Sequence, residues 1–306
     1  MSFNTEIKKE LSGIYQDKDC CNLSALATMY AILAEEKKSG IFLKTENATV
    51  MRRISILTAK ILGFDPEIHI KPTKKSGKYI FTLKISDKKY IDALKEKLHL
   101  HHKNTTAFFS KIEPSFTINP CCKTASIQAA FLASGMILSP KKSYHLEFIT
   151  HKKQVRDDIS NILSELGFEP KASKRNSNFV IYIKNNEEIF RFLSLMNAKR
   201  SMIKFMEAKE EKDLKNRINR QLNCENANEN KTISSSVLQV KAIDTLKKNG
   251  KFDTLSSDLK MTAQLRLQNP QSSLAELVNK ANFPITKSGL NHRLNKLITI
   301  AQIKPQ

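Results

Sequence analysis

The last helix predicted from the sequence carries side chains that can recognise a polyanion. Apolar residues recur at helical spacing across residues 286–301, with Leu290, Leu294 and Leu297 on one face. The opposite face is polar, and the whole segment contains no acidic residue. Amide, hydroxyl, imidazole and ammonium groups in this arrangement can bind nucleobase edges and phosphate oxygens. The side chains predicted to do so are those of Lys287, Ser288, Asn291, His292, Arg293, Asn295 and Lys296.

Asn291 is the first candidate for contact with a base, because an asparagine amide can pair bidentately with adenine. Lys287 and Arg293 lie nearer the apolar face of the same helix, where long cationic side chains reach phosphates more naturally than bases. The alternative interpretation is a solvated helix face in a small helical bundle, without a ligand.

Two helices and a short turn position these residues. Ser273 and Glu276 have the spacing of a capping box, which starts a helix. That helix runs into a turn at residues 280–284, and the helix of residues 286–301 follows. The order predicts a helix-turn-helix at about residues 273–301, whose second helix would enter the major groove of double-stranded DNA.

Composition agrees with an anionic partner but does not establish one. The 306 residues include 51 Lys+Arg and 30 Asp+Glu, giving a formal net charge of +21. Such a chain attracts nucleic acid or an anionic membrane surface. Only ten of the basic residues are Arg, and A+T-rich coding could produce this lysine excess without selection for binding. The first residues lack the pattern of a secretory signal, and no apolar run is long enough for a transmembrane helix, so a cytoplasmic protein without a membrane partner is expected.

The N-terminal two thirds of the chain repeats itself. The adjacent pairs Cys20-Cys21 and Cys121-Cys122 each precede an apolar helical stretch. The sequence of residues 62–67 (LGFDPE) recurs at residues 166–171 (LGFEPK), and the offset between these copies is nearly the same as that between the two cysteine pairs. In each copy the Gly ends a predicted helix and the Pro prevents its continuation. β-branched and aromatic strands follow in both copies, near residues 79–85 and 179–183. The pattern predicts an α+β duplication followed by an all-α domain.

Neither a metal site nor a cofactor site is expected from sequence spacing. The five cysteines form two adjacent pairs and a lone Cys224, without the C-x-x-C spacing of zinc sites, so reduced and buried thiols are the expected state. Glycine-rich nucleotide-binding motifs do not occur, which leaves no support for an NTPase or for a small-molecule substrate.

The repeat and the C-terminal motif together resemble the WhiA family of bacterial regulators over nearly the whole chain. That family joins a LAGLIDADG homing-endonuclease-like domain to a C-terminal helix-turn-helix. The resemblance implies a transcriptional regulator of cell division, chromosome segregation and, where it occurs, sporulation. Such a regulator binds promoter DNA and is associated with the nucleoid, and other regulatory proteins are further candidate partners. It is carried by residues 2–10, Cys20-Cys21, residues 45–48, Cys121-Cys122, and residues 130–133, 143–147, 216–220, 223–228 and 286–294.

Five segments are expected on this basis. The last two are separated near residue 230, because four asparagines in residues 223–230 favour a turn over a helix interior. The segments are an N-terminal helix (1–18), a first LAGLIDADG-like repeat (19–110), a second repeat (111–200), a helix with an Asn-rich linker (201–230) and a helical DNA-binding domain (231–306).

No catalytic activity is expected. Endonucleases of this fold place one carboxylate from the end of each motif helix on catalytic metal ions. The second copy has no Asp or Glu anywhere in residues 123–146, and the first has Glu35 and Glu36 just past the matching position. Three rivals stay open: a metal-dependent nuclease using one of these glutamates, a non-specific nucleoid protein, and a protein-interaction module. Seven lysines on or near the predicted strands have two equally good explanations. Either the strands form a saddle-shaped surface whose lysines bind the DNA backbone, or the lysines are solvated charges at strand edges that deter aggregation. These lysines are Lys71, Lys74, Lys75, Lys84, Lys171, Lys174 and Lys184.

Overall fold

A computed structural model describes residues 2–73, 77–100 and 109–302. The chain divides into an N-terminal unit that ends at Lys212 and a C-terminal unit that begins at Asp213. The division falls within one long helix, α8 (Lys199–Lys248). Lys74 and Lys75, two of the lysines considered for a DNA-binding saddle, lie outside the described residues.

The N-terminal unit consists of a helix and two copies of one α+β repeat. Each copy has a four-stranded antiparallel sheet, with strand orders β1-β2-β4-β3 and β5-β6-β8-β7, so the predicted duplication is confirmed. After α1 (Phe3–Ser12), the first copy comprises α2 (Asp19–Leu33), β1 (Ala34–Lys37), β2 (Gly40–Thr45), α3 (Ala48–Leu62), β3 (Glu67–Pro72), β4 (Tyr79–Ile85) and α4 (Lys88–Lys97). A 3-10 helix (Pro114–Thr117) leads into the second, with α5 (Pro120–Ser134), β5 (Gly135–Ile137), β6 (Leu146–Thr150), α6 (Lys153–Glu165), β7 (Lys171–Arg175), β8 (Asn178–Ile183) and α7 (Asn186–Leu195).

The helices α2 and α5 pack against each other at the centre of this unit. Both are apolar on nearly every face, as expected of helices enclosed by other elements. Hydroxyl groups join them: Ser24 Oγ donates to the Cys122 carbonyl at 2.9 Å, and the Thr28 and Ser126 hydroxyls lie 2.6 Å apart. Because these groups are buried and hydrogen-bonded, they fix the alignment of the two helices.

Two glycines end equivalent helices, as the repeated Leu-Gly-Phe segments predict. Gly63 follows α3 with a φ of 72°, and Gly167 follows α6 with a φ of 80°. This left-handed conformation favours glycine and lets the chain leave the helix toward the next strand. The next strand, β3 in the first repeat and β7 in the second, therefore begins at a matching position after each glycine.

The described residues of the C-terminal unit form helices and the turns between them. After α8 come α9 (Ser257–Gln268), α10 (Leu274–Lys280) and α11 (Lys287–Ile300). Their apolar faces form one core, centred on Ile243, Leu259, Leu277 and Leu294. No helix in the described part of the chain contains an apolar stretch long enough to cross a bilayer.

The expectation of a linker or loop at residues 223–230 is wrong, because these residues lie within α8. Asparagine costs a helix only some tenths of a kcal/mol per residue, and side-chain bonds one turn apart offset part of this. Gln221 Nε2 donates to Glu225 Oε1 at 3.0 Å, and Thr232 Oγ1 donates to the Asn228 carbonyl at 3.0 Å. The four asparagines in residues 223–230 therefore do not break α8, and a prediction from the asparagine content alone overestimated their effect on the helix.

Candidate nucleic-acid interface

The capping box that begins α10 is present in the structure. Ser273 Oγ accepts a hydrogen bond from the Glu276 backbone amide at 3.3 Å, and Glu276 Oε2 accepts one from the Ser273 amide at 2.7 Å. These bonds hold the pKa of the Glu276 carboxyl below its usual value. The predicted start of the first motif helix is confirmed.

The second motif helix, α11, is fixed at its start and along one face. Thr286 Oγ1 accepts a hydrogen bond from the Gly289 amide at 3.1 Å. Leu290, Leu294 and Leu297 are each fully buried against the rest of the C-terminal unit. The predicted apolar face is therefore confirmed, and its burial determines which side chains of α11 face solvent.

Six of the seven predicted recognition residues are exposed. They form a continuous polar surface with both hydrogen-bond donors and acceptors, and it begins at the first turn of α11, where free backbone amides add positive potential. The exposed members of this recognition surface are Lys287, Ser288, Asn291, His292, Asn295 and Lys296.

Arg293 is engaged within the protein, unlike the other predicted residues. Its Nη2 donates to Asp258 Oδ2 at 2.7 Å, and its guanidinium lies 5.9 Å from the centroid of the Phe283 ring. The side chain is half-buried between α9 and the turn before α11. In this geometry Arg293 orients α11, and its contact with a DNA phosphate stays a prediction.

Arg266 is a residue that the sequence analysis did not single out. It lies in the last turn of α9, is 2% exposed, and its Nη1 donates to the Ser272 carbonyl at 2.6 Å and to the Asn269 carbonyl at 3.2 Å. Burial lowers the pKa of its guanidinium. The side chain thus orders the connection between α9 and α10, because the turn after α9 brings both carbonyls to it.

In the N-terminal unit, lysines occupy the carboxyl ends of α2 and α5. Lys152 Nζ donates to the carbonyls of Ala31 at 2.8 Å and Ala34 at 3.0 Å, at the end of α2. Lys8 Nζ donates to the Leu132 carbonyl at 3.0 Å, near the end of α5. Burial lowers the pKa of each ammonium to about 8. Cations at helix carboxyl ends complement the helix dipole.

Glu35 and Glu36, the two candidate metal ligands, are paired with lysines. Both lie on β1, with side chains on alternate sides of the strand. Glu35 lies 3.4 Å from Lys37 and 3.6 Å from Lys44, and the pKa of its carboxyl is below its usual value. Glu36 lies 2.8 Å from Lys95. The structure does not bring these two carboxylates together into one site.

The buried lysine at the end of α2 predicts a pH-dependent stability. Folding lowers the Lys152 pKa from 10.5 to about 8, so between these values the folded chain binds fewer protons than the unfolded chain. The cost of burying the charge is fully present below about pH 8 and is relieved as pH rises. Relative to Lys152→Met, the wild-type free energy of unfolding should rise by about 1–3 kcal/mol from pH 7 to pH 10.

Urea denaturation at several pH values measures this difference. Lys153→Met is the matched control, since Lys153 is exposed and begins α6 beside Lys152. Its difference from wild type should not change with pH. If the difference in free energy of unfolding between wild type and Lys152→Met is also independent of pH, the Lys152 ammonium is not buried as described.

Both sheets carry cationic side chains, and these side chains make different contacts in the two repeats. On the first sheet, Lys37, Lys44, Lys71 and Lys84 line a shallow depression together with His69. On the second, Glu147 is buried and accepts hydrogen bonds from Arg175 Nη1 at 3.2 Å and from His145 Nε2 at 2.9 Å, the imidazole being assigned as donor. Of the other lysines considered for a saddle, Lys174 and Lys184 lie near the rings of Phe179 and Tyr182, and Lys171 is exposed. A basic depression thus lies on the outer face of the first sheet, whereas on the second sheet the buried Glu147 carboxylate is paired with Arg175 and His145, and Lys171 and Lys184 are exposed.

Two family models match this chain, one in each part. The WhiA LAGLIDADG-like domain matches residues 123–215, and the WhiA C-terminal HTH domain matches residues 218–301. The second match contains the helix-turn-helix and the recognition surface of α11.

Relatives and a solved structure match along almost the whole chain. The probable cell division protein WhiA of Heliobacterium modesticaldum is 33% identical, over 99% of this chain and 96% of the relative. The protein of the same name from Lachnoclostridium phytofermentans is 34% identical, over 98% of both. The crystal structure of full-length DUF199/WhiA from Thermotoga maritima has a TM-score of 0.57 and 24% identity, covering 99% of this chain and 98% of that one. This similarity shows that the two proteins share a fold.

Proposed function

This chain belongs to the WhiA family, and we propose that it is a sequence-specific double-stranded DNA-binding protein that regulates transcription in cell division and chromosome segregation. The observation that carries the proposal is the exposed, acid-free recognition surface on α11, the second helix of a capped helix-turn-helix. A helix so placed enters the major groove and presents its first turns to base edges. The relatives' name, probable cell division protein, supports the biological role. Where sporulation occurs, the same regulation would extend to it, and the protein would act in the cytoplasm, on the nucleoid.

The side chains of the recognition surface divide between base contacts and phosphate contacts. Asn291 lies within the first two turns of α11, and its amide can pair with adenine. Lys287 and Lys296 carry ammonium groups, which are suited to phosphates. Arg293 positions the helix through Asp258. Removing the base contact should alter sequence preference, and removing a phosphate contact should alter affinity and its dependence on salt.

Asn291→Ala is therefore expected to weaken binding to the preferred site by about 1–3 kcal/mol and to relax specificity at one base pair. The measurement is selection of bound fragments from genomic DNA by the full-length protein at about 0.15 M salt, followed by affinities for the enriched motif. Asn249→Ala is the matched control, because Asn249 is an exposed asparagine of the same unit outside the recognition surface. It should leave both the motif and the affinity unchanged.

Other outcomes of the selection distinguish the alternative functions. Uniform recovery of all fragments, without a motif, would replace promoter recognition by general nucleoid association. No recovery at about 0.15 M salt would favour an interaction module whose charge is compositional, because purely electrostatic binding weakens steeply with salt.

We also propose that the N-terminal unit does not cleave DNA. The support is the charge at the ends of α2 and α5, where the ammonium groups of Lys8 and Lys152 would repel a divalent cation. Glu35 and Glu36 are held by Lys44 and Lys95 instead. Plasmid incubated with the protein and Mg²⁺ should stay intact, and cleavage abolished by Glu35→Gln would instead establish a nuclease. In a unit that does not cleave DNA, the basic outer face of the first sheet would serve to bind a DNA backbone.

A further inference from the structure

The four cysteines of the two adjacent pairs converge in the folded chain. The Sγ atoms of Cys20, Cys21, Cys121 and Cys122 all lie within 4.8 Å of one another, although the pairs are a hundred residues apart in sequence. All four are free thiols. The absence of C-x-x-C spacing led to the expectation of no metal site, and that expectation overlooked the symmetry of the fold. Each pair starts one of the two central helices, so packing of α2 against α5 brings the pairs together.

We propose that these four thiols bind a single Zn²⁺ ion that joins the two repeats. Zinc is held tetrahedrally by four cysteine thiolates in structural sites, with Zn–S bonds of about 2.3 Å and hence S···S separations of about 3.8 Å. Cys20 and Cys21 have Sγ atoms 4.0 Å apart, close to this separation. Since no pair exceeds 4.8 Å, small changes in side-chain torsions are enough to complete a tetrahedron.

The surroundings suit a metal centre with negative charge. Zn²⁺ with four thiolates carries a net charge of −2, and the cysteines occupy the first turns of α2 and α5, where backbone amides make the potential positive. The ammonium of Lys18, the residue directly before α2, adds to this potential. Metal binding deprotonates the thiols, so protons are released to solvent as the ion enters.

Access and rigidity also fit a structural ion. Cys21 and Cys122 are buried, Cys121 is half-buried and Cys20 is exposed, which gives the ion a path from solvent. The Ser24 hydroxyl donates to the Cys122 carbonyl and so fixes the ligand-bearing turn of α5 from α2. The site lies about 20 Å from Lys152, at the opposite end of the 15-residue helix α2. Both Lys152 and the cysteines belong to the N-terminal unit, whereas the proposed DNA contacts on α11 belong to the C-terminal unit.

Metal analysis of the full-length protein, purified without a histidine tag from zinc-supplemented cells, tests the proposal. We expect about one zinc ion per chain. Replacement by Co²⁺ should give the thiolate charge-transfer and tetrahedral ligand-field absorption bands. Cys20→Ser/Cys121→Ser, which changes the two more accessible ligands, should lose the zinc and the cobalt bands. Cys224→Ser is the matched control and should keep both, because Cys224 is exposed and lies on α8.

Thermal unfolding gives a second readout that does not depend on yield of the variant. A strong chelator should lower the Tm of wild type and of Cys224→Ser, and should leave the Tm of the double variant unchanged. If the double variant does not fold, the single Cys20→Ser variant should bind zinc more weakly in competition with a chromogenic chelator. Zinc-free wild type, zinc retained by the double variant, iron in place of zinc, or a disulfide between the two pairs would each overturn the proposal.

Discussion

Lys287→Glu/Lys296→Glu is expected to weaken binding to the preferred DNA site by roughly 100-fold or more at about 0.15 M salt. Both lysines are exposed on α11, on either side of Asn291 along the helix. A hydrogen bond to a charged group contributes about 1.5–3 kcal/mol, so two lost phosphate contacts remove at least about 3 kcal/mol. Repulsion between the new carboxylates and the phosphates adds to this loss.

Salt titration separates this effect from misfolding. Each lost phosphate contact should reduce the slope of log K against log salt by about 0.9, so the slope should fall by about 2. Glutamate at the first position of a helix is favourable, and Lys287 holds that position in α11, so the variant is expected to fold. Fluorescence anisotropy with a labelled site measures both quantities.

A control with the same change in net charge is available on α8. Lys231→Glu/Lys241→Glu replaces two exposed lysines of the same unit on α8, outside the helix-turn-helix. Its affinity should fall only slightly, through the general field of the protein. Equal losses in both double variants would mean that net charge, not contact by α11, governs binding.

The fold was predictable from sequence wherever a local signal agreed with the packing. The repeated Leu-Gly-Phe segments located the ends of α3 and α6, because only glycine adopts the left-handed conformation there at little cost. The short strands β1 and β5 carry no such signal. Gly135 begins β5 directly after α5, and a side chain there would clash with the ring and backbone of Phe131 one turn earlier, so this change from helix to strand requires glycine, although a lone glycine in the sequence does not show where a strand begins.

The candidate sites were also predictable to different degrees, because some depend on local sequence patterns and others on contacts between distant segments. The recognition surface depends on helical periodicity and a capping box, both local, and six of its seven residues are exposed as expected. Arg293 differs because its partner Asp258 lies on another helix. The cysteine cluster and the lysines at the ends of α2 and α5 depend on contacts between segments far apart in sequence, which spacing along the chain does not encode.

Phe131→Ala is expected to destabilise the N-terminal unit by about 3–5 kcal/mol. Phe131 lies on α5, is fully buried, and makes edge contacts with the rings of Phe148 and Phe192 at centroid distances of 6.3 and 5.7 Å. The Lys8 ammonium lies 5.8 Å from the same ring. Alanine would leave a cavity lined by both aromatic rings. It would also remove the contact between the Phe131 ring and Gly135, which is possible because Gly135 has no side chain.

The result depends on how far the surrounding core can collapse. The ring is enclosed by the sheet through Phe148 and by α7 through Phe192, and these two rings also contact each other, so little relaxation is expected. Guanidinium denaturation followed by circular dichroism measures the change, with Phe179→Ala as the control because Phe179 is only half-buried on β8. Phe131→Ala should lower the free energy of unfolding by several times the control value. Similar small losses for both variants would mean that the aromatic cluster repacks, and that polar bonds such as Thr28–Ser126, not ring packing, hold α5 in place.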